Sequence, residues 1–195
     1  MDLLERMLDK ENLATAYQKV MTNKGAAGPD GVTVKQFGDF LRAHWPRIKE
    51  ELREQRYKPG AVRRVEIPKP DGGVRQLGIP NVIDRFIQQA MLQILTPILD
   101  PRFSKSSFGF RPNRKAHDAV RQAKAYVEAG YMVVVDIDLK NFFDTINHDL
   151  LMNRLYRQVT DTKILRLIRR YLRAGVLIGG ATLKRRISER HREAL

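Results

Sequence analysis

The sequence contains no cysteine, so neither disulfide bonds nor thiolate metal sites are available to it. No uninterrupted apolar run approaches the ~20 residues that cross a bilayer. The first dozen residues mix acids with bases and lack the apolar centre of a signal peptide. The four histidines are scattered, and no two of them have the spacing of metal ligands. These absences predict an intracellular, soluble protein whose chemistry depends on carboxylates and cations.

Acidic residues are scarce relative to basic ones. Lys and Arg number 36 against 22 Asp and Glu, which gives a net charge of +14 and a pI near 10.3. A surplus of this size favours a polyanionic partner, and nucleic acid is a better candidate than an anionic membrane surface. Hydrophobic residues make up 43% of the chain, which is enough for a packed core.

Hydrophobic periodicity and turn residues predict a mostly helical chain with one β-hairpin and one apolar strand. Asn12 is predicted to cap the first long helix, Pro46 to begin a new helix and Asn113 to cap a later one. That later helix is predicted to face inward through Ala116, Val120, Ala123 and Val127. The predicted elements are helices over 12–24, 81–98, 148–158 and 161–174, a hairpin over 62–79 and a strand over 131–137.

Asp136 and Asp138 end the apolar strand and lie on the same face of it, because side chains repeat every two residues. Such a pair can bind Mg²⁺ when substrate phosphates supply further ligands, or it can cap a turn or pair with a nearby lysine. Phosphatases of the haloacid-dehalogenase type also use Asp-x-Asp, but normally with a Thr where this chain has Lys140. Glycosyltransferases use it too. Neither class explains the charge of +14.

The stretch DLKNFFD, from Asp138 to Asp144, resembles motif A of reverse transcriptases, in which a metal-binding Asp precedes an aromatic residue. Four upstream segments resemble, in the same order, the maturase-reverse transcriptases encoded by group II introns: NKGAAGPDGV, RRVEIPKPDGGVRQLGIP, NVIDRFIQQAMLQIL and SFGFRPNRKAHDAV. The resemblance covers about residues 10–178. It implies an α+β fold, with reverse-transcriptase fingers and an incomplete palm of the right-hand polymerase type. That fold would be helix-rich, with a β-hairpin and a palm strand.

The resemblance implies that Asp138 is the first catalytic Asp and a ligand to both Mg²⁺ ions. Ile137, or Leu139 through its backbone carbonyl, would complete the coordination. Phe143 would lie under the incoming sugar and exclude a 2′-hydroxyl, so that dNTPs are chosen over rNTPs. Asp136 and Asp144 would then be structural neighbours.

The hairpin residues Lys69 and Arg75 are implied to grip the dNTP triphosphate, because two cations on a closing hairpin suit phosphates. Without the resemblance they would be interpreted as a solvated hairpin face. The residues implied to contact nucleic acid are Lys24, Arg63, Arg64, Arg111, Arg114 and Lys115. Phe108 and Phe110 lie beside three of these, where they either stack on a template strand or anchor their loop.

The implied partners are an RNA template, intron RNA, a DNA primer or product, and dNTPs, with no membrane. The implied location is the cytoplasm of a bacterium. The implied subdomains are a helical N-terminal extension over 1–57, fingers over 58–130, a partial palm over 131–180 and a divergent basic tail over 181–195. No strand is predicted in that tail.

Two-metal polymerisation needs further carboxylates, which the family supplies from a later Tyr-x-Asp-Asp hairpin. This sequence has no Asp-Asp dipeptide, and no Gln-Gly motif follows Gly180. The sequence therefore predicts a truncated RNA-directed DNA polymerase of group II intron type, with maturase-like intron RNA binding. It is expected to be inactive alone. A truncated reading frame, a frameshift, a deliberate fragment and a split enzyme with a separate C-terminal half would each produce this pattern. The alternative is a non-catalytic RNA-binding module.

Overall fold

The computed structural model describes residues 2–68, 70, 72–139, 142–178 and 181–183. No described helix combines the length and apolar character that a membrane span requires. The described helices, with a 3-10 turn at Asp100–Arg102, are α1 (Leu3–Met7), α2 (Lys10–Thr22), α3 (Phe37–Arg53), α4 (Val82–Leu99), α5 (Ala116–Glu128), α6 (Phe142–Thr145), α7 (His148–Tyr156) and α8 (Thr162–Arg173). The described strands are β1 (Val62–Pro68), β2 (Val74–Ile79), β3 (Val176–Ile178) and β4 (Ala181–Leu183).

Strands β1 and β2 form the predicted hairpin, antiparallel, with Arg63 opposite Ile79. Gly72 and Gly73 in its turn have φ values of 84° and 90°, a region in which glycine meets no steric penalty. Asp71, the other predicted turn residue, lies outside the described residues.

The hairpin belongs to a four-stranded sheet of order β2-β1-β3-β4. Strand β3 runs parallel to β1, and β4 runs antiparallel to β3. Strand β4 is a correction, because no strand was predicted beyond residue 180. The segment is short and weakly patterned, and it forms a strand because β3 offers it a free edge of backbone donors and acceptors.

The chain divides into two compact units, a larger one over residues 1–95 and 147–195 and a smaller one over 96–146. Every described hydrophobic side chain that is buried belongs to the larger unit. Its aromatic centre is Phe37, whose ring centroid lies 5.9 Å from that of Tyr17 and 5.6 Å from that of Phe86. Helix α4 supplies the broadest buried face, as its apolar pattern predicts.

The first long helix begins earlier than predicted, and Asn12 is not its cap. Asp9 caps α2 by accepting from the backbone N–H of Glu11 at 2.9 Å. The Asn12 amide instead donates to the carbonyl of Ala90 at 3.1 Å and accepts from Gln93 at 2.7 Å. Asn12 therefore joins α2 to α4, a role that its own neighbours in sequence do not reveal.

Pro46 lies inside α3 and does not begin a new helix, which corrects the predicted break. Proline removes one backbone donor from a helix, but Pro46 is on the exposed side of α3. Phe37, Ile48 and Leu52, on both sides of it, are all buried. Packing along the whole helix keeps it continuous.

The predicted cap of α5 is also wrong. Asn113 lies before the helix with a φ of 59°, and the backbone N–H of Lys115 is instead bonded by the Asp118 carboxylate at 2.9 Å. The face predicted to point inward is exposed, to 66% at Val120 and 49% at Val127. Within the smaller unit, no described residue is buried over that face.

The apolar run over 131–137 forms no strand, which corrects a further prediction. Its side chains are largely exposed, to 86% at Val133 and 79% at Ile137. A strand needs a neighbour for its backbone N–H and C=O groups, and no described segment pairs with this run. The run therefore remains without strand structure despite its β-forming sequence.

Candidate nucleic-acid and nucleotide site

The outer part of the hairpin presents a cation beside exposed apolar side chains. Arg75 pairs with Ile67 across the hairpin, and Val65 pairs with Leu77, so these four share one face. Arg75 is exposed, while Ile67 and Leu77 are 43% and 41% exposed. Lys69, its predicted companion, lies outside the described residues. The Arg75 side chain is thus accessible to an anionic ligand.

The base of the hairpin is tied to the glycine-rich loop that follows α2. Arg63 donates to the carbonyl of Ala27 at 2.9 Å, and Arg85 of α4 donates to that of Ala26 at 2.7 Å. Gly28 packs so tightly that a Cβ there would lie 2.6 Å from the Asn81 backbone, so only glycine fits. The loop is therefore held against the hairpin and α4.

The three residues of the larger unit that are predicted to contact nucleic acid differ in how accessible their side chains are. Arg63 is engaged with its own chain, and Arg64, opposite Gly78, is half-buried on the other hairpin face. Lys24 is exposed, with a φ of 45° at the start of the loop. Of the three, Lys24 has the most accessible side chain.

The loop before α5 is organised around Arg111. Its guanidinium forms a bidentate ion pair with Asp100 at 2.8 and 3.1 Å, and it donates to the carbonyls of Ser104 and Ser107. The side chain is only 7% exposed. The Asp100 carboxyl has a lowered pKa because it accepts hydrogen bonds from Arg111. These contacts favour a structural role for Arg111.

Arg114 and Lys115 lie further along the same loop. The Arg114 guanidinium lies 5.3 Å from the centroid of the Phe108 ring, a cation–π arrangement. Lys115 is exposed at the start of α5. Phe110 is fully exposed with a φ of 55°, so of the two phenylalanines it is the one available for stacking.

The described side chains from Asp136 to Phe143 are open to solvent. Asp136 and Asp138 are both exposed, and Ile137 and Leu139 are 79% and 64% exposed. Phe143, in α6, is 80% exposed, with its ring centroid 5.5 Å from that of Phe142. The Asp144 side chain lies outside what the structure describes. Asp138 and Phe143 belong to the smaller unit and Arg75 to the larger one.

The model of the family described as "Reverse transcriptase (RNA-dependent DNA polymerase)" matches residues 67–193. The chain belongs to the reverse transcriptase family. The match extends into the segment 181–195, beyond the motifs quoted above. Curated relatives include the group II intron-encoded protein LtrA of Lactococcus lactis subsp. cremoris, 36% identical over 83% of this chain and 27% of the relative. Another is protein YkfC of Escherichia coli (strain K12), 36% identical over 89% of this chain and 47% of the relative.

Mitochondrial intron proteins match as well. The putative COX1/OXI3 intron 1 protein of Saccharomyces cerevisiae is 32% identical over 90% of this chain and 21% of the relative. A chain of a solved partial Cas6-RT-Cas1–Cas2 complex matches at a TM-score of 0.56 and 19% identity, covering 94% of this chain and 30% of that chain, which supports the fold. The chain spans from about a fifth to about half of the length of these relatives. The predicted group II resemblance and α+β fold are confirmed.

Reverse transcriptases generally use a divalent metal, which requires hard oxygen donors. Asp136 and Asp138 supply hard carboxylate oxygens of the kind that Mg²⁺ prefers. Among the described residues, however, no three His, Cys, Asp or Glu side chains come together as a metal site. A two-metal centre needs more carboxylates than this pair. The described residues alone therefore do not fit a complete two-ion centre.

Sequence reasoning missed Asp84 of α4, which at 1% exposure is the most deeply buried acid among the described residues. Its carboxylate accepts from the Tyr57 hydroxyl at 2.7 Å, the Tyr171 hydroxyl at 3.1 Å and the Gly60 backbone N–H at 3.1 Å. Burial raises the pKa of this carboxyl. The signal was present, because Asp84 falls within the apolar stripe of α4. The cluster ties α4 and α8 to the segment that leads into the hairpin.

Proposed function

We propose that this chain is part of an RNA-directed DNA polymerase of group II intron type, and that it does not polymerise alone. The observation that carries the proposal is the exposed stretch around Asp138 in a chain that belongs to the reverse transcriptase family. Its charge of +14 suits the RNA template, intron RNA and DNA product that such an enzyme handles. An intracellular location and the subdomain boundaries at 57, 130 and 180 belong to the same proposal.

Asp138 is proposed as one metal ligand, with Ile137 or Leu139 contributing a backbone carbonyl. Support comes from the exposure of Asp138 and from the hard donor atoms that carboxylates offer to Mg²⁺. Phe143, whose ring is exposed, is proposed to contact the sugar of the incoming dNTP. Lys69 and Arg75 are proposed to bind its triphosphate, with the exposed position of Arg75 as support. Each role can be tested separately.

The chain is proposed to lack activity because two metal ions about 3.5–4 Å apart need further carboxylates. Those carboxylates would come from a later part of the palm, which would also cover the apolar run over 131–139. Primer extension on an RNA template with Mg²⁺ and dNTPs is the test. The pure chain is expected to give no product, and robust synthesis by it alone would contradict the proposal.

A reconstitution experiment assigns the roles. The chain is mixed with a separately expressed C-terminal portion of the Lactococcus lactis relative, and extension is measured. Restored synthesis is expected to be abolished by Asp138→Asn and retained by the matched control Asp136→Asn. Equal loss in both variants would mean that the two acids act together or that the stretch has only a structural role.

A non-catalytic RNA-binding module is the second candidate. It is favoured by the larger unit, which has its own core and carries most of the helices. Binding to RNA is then expected to weaken steeply with added salt and to be unchanged by Asp138→Ala. If no RNA binds at moderate salt, both candidate functions lose their support.

A further inference from the structure

Helix α8 carries a row of cations that the site described above does not use. Its sequence, TKILRLIRRYLR, contains no acidic residue. All of its cations fall within an arc of about 120° on one side of the helix, because successive residues are turned by about 100°. They are Lys163, Arg166, Arg169, Arg170 and Arg173.

The opposite side of α8 is buried in the larger unit. Ile164 and Leu165 are 0% exposed and Leu167 is 4% exposed. A basic amphipathic helix is often a membrane-surface element, but such an element must place its apolar side in the lipid. The apolar side of α8 is already occupied by protein, so the cationic side is the one available to a partner.

Among the described residues, ion pairs neutralise only the two cations at the edges of this arc, Lys163 and Arg169. Lys163 lies 3.3 Å from Asp2, and Arg169 lies 2.7 Å from Asp149. Arg166 donates to the Gln55 side-chain carbonyl at 2.6 Å, and Arg170 donates to the backbone carbonyls of Gln55 and Tyr57. These acceptors are neutral, so they position the two guanidinium groups and leave their charge uncompensated.

The polar side of α3, in the same unit, shows the usual arrangement by contrast. Arg42 pairs with Asp39, and Arg47 lies 3.9 Å from Glu51. Mixed charges at these spacings support a helix, whereas like charges four residues apart weaken it by a few tenths of a kcal/mol. Arg170 and Arg173 lie in the last turn of α8, where cations favour the helix dipole, but the row also places like charges four residues apart. An anionic partner would offset that repulsion.

We propose that Arg166 and Arg173, the two exposed cations of the row, form a docking surface for the phosphate backbone of structured RNA. The inference rests on the proposed function for the choice of RNA. Seven residues of helix span about 10 Å, which matches about three nucleotides along one strand of a duplex. Arg suits phosphate because its planar guanidinium offers two parallel donors.

The surface is suited to backbones and not to splayed bases. The one aromatic residue of α8, Tyr171, donates to buried Asp84 and cannot stack on a base. Single-strand binding normally combines cations with such stacking, whereas duplex RNA is contacted mainly through phosphates and 2′-hydroxyls. The surface therefore binds a folded RNA without reading its sequence.

The test compares two double variants of the full chain. Arg166→Gln with Arg173→Gln removes two cations from the row, and Arg42→Gln with Arg47→Gln removes two paired cations from α3. Fluorescence anisotropy with a labelled RNA hairpin is recorded over a salt series. The α8 variant is expected to reduce the slope of log affinity against log salt by roughly 2, at about 0.9 per phosphate contact, and the α3 variant to leave it unchanged.

Equal slopes for the two variants would overturn the inference, because the overall positive charge of the chain would then explain the RNA binding. Circular dichroism confirms that both variants are folded, and Arg166→Lys with Arg173→Lys is expected to recover most of the slope. A DNA hairpin of the same sequence distinguishes recognition of RNA from that of any phosphate backbone. An effect on phosphatidylserine vesicles without one on RNA would also overturn it. Failure of the wild-type chain to bind RNA would instead remove the proposed function.

Discussion

The larger unit closes around side chains such as Phe37 and Ile87, which are 0% exposed, whereas Val133 in the smaller unit is 86% exposed. Both regions are rich in apolar residues, so composition does not explain the contrast. Helix α4 meets α2 and α3 on its buried face, while the run over 131–139 has no described partner. Apolar sequence becomes a core only where another element is present to pack against it.

The order of the smaller unit comes from polar contacts instead. Arg111 is 7% exposed and binds both the carboxylate and the backbone carbonyl of Asp100. Such contacts can fix a loop, but each contributes little net free energy compared with burial of a large side chain. The two units should therefore differ most in how readily they open.

The largest expected difference is in hydrogen exchange. Backbone amides over 132–139 should exchange almost as fast as in an unfolded chain, and those of Ile87 and its neighbours in α4 should be protected by several orders of magnitude. Limited proteolysis should correspondingly cut within 131–139 first. Early cleavage inside α4, or strong protection of the Val134 amide, would contradict the expected difference between the two units.

The next test compares the same isoleucine-to-alanine substitution at a buried and at an exposed position. Ile87→Ala should lower the free energy of unfolding by about 2–5 kcal/mol, because it leaves a cavity at a site with 0% exposure. Ile137→Ala makes the same chemical change at 79% exposure and should cost less than about 0.5 kcal/mol. Urea unfolding measures both. Similar costs would mean that the 131–139 run is covered in solution.

The elements predicted correctly are those that local sequence determines. Helix α4 has an apolar stripe along its whole length, and the hairpin has its glycines at the turn. The strand over 131–137 was predicted wrongly because strand formation depends on a partner strand, which periodicity cannot supply. The partners of Asn12 and Asp84 could not be predicted because they lie far away in the sequence; Tyr171, for example, is 87 positions after Asp84.

The candidate site divides in the same way. Asp138 and Phe143 were predicted through the resemblance, since a motif fixes positions along the chain. The charge of Arg111 indicated nucleic acid, but its geometry shows five hydrogen bonds to its own loop. Charge alone cannot distinguish a cation that binds a ligand from one that holds a loop.

The third and smaller expected difference is in the free energy that carboxylates at helix starts contribute to folding. Asp161 caps α8 by accepting from the backbone N–H of Lys163 at 2.9 Å, and it also accepts from the N–H of Leu3 at 2.7 Å at the start of α1, whose own cap is Asp2. Asp161→Ala should cost about 2 kcal/mol, roughly one for each helix start. Asp118→Ala, at the single exposed start of α5, should cost about 0.5 kcal/mol. Urea unfolding followed by circular dichroism measures both, and equal costs would contradict the role of Asp161 at both helix starts.

The smallest expected effect concerns the pH dependence of the larger unit. Burial raises the pKa of Asp84 above its ordinary value of 3.8. A carboxyl with a raised pKa in the folded state stabilises the fold fully below pH 3.8, and this contribution is lost as the pH rises through the folded pKa. Burial also raises the pKa of Tyr57 and Tyr171, so both phenols stay protonated over this range.

Asp84→Asn should therefore gain stability relative to the wild-type chain as the pH rises above 3.8. Asparagine keeps the shape and cannot ionise, and its amide can still accept from Gly60 while its NH₂ donates to a tyrosine oxygen. The matched control is Asp39→Asn, since that side chain is 79% exposed and the variant makes the same chemical change without altering a buried carboxyl. Unfolding in urea at a series of pH values gives the difference. A gap that moves in the opposite direction would mean that the two tyrosine hydroxyls stabilise the ionised carboxylate more than burial destabilises it.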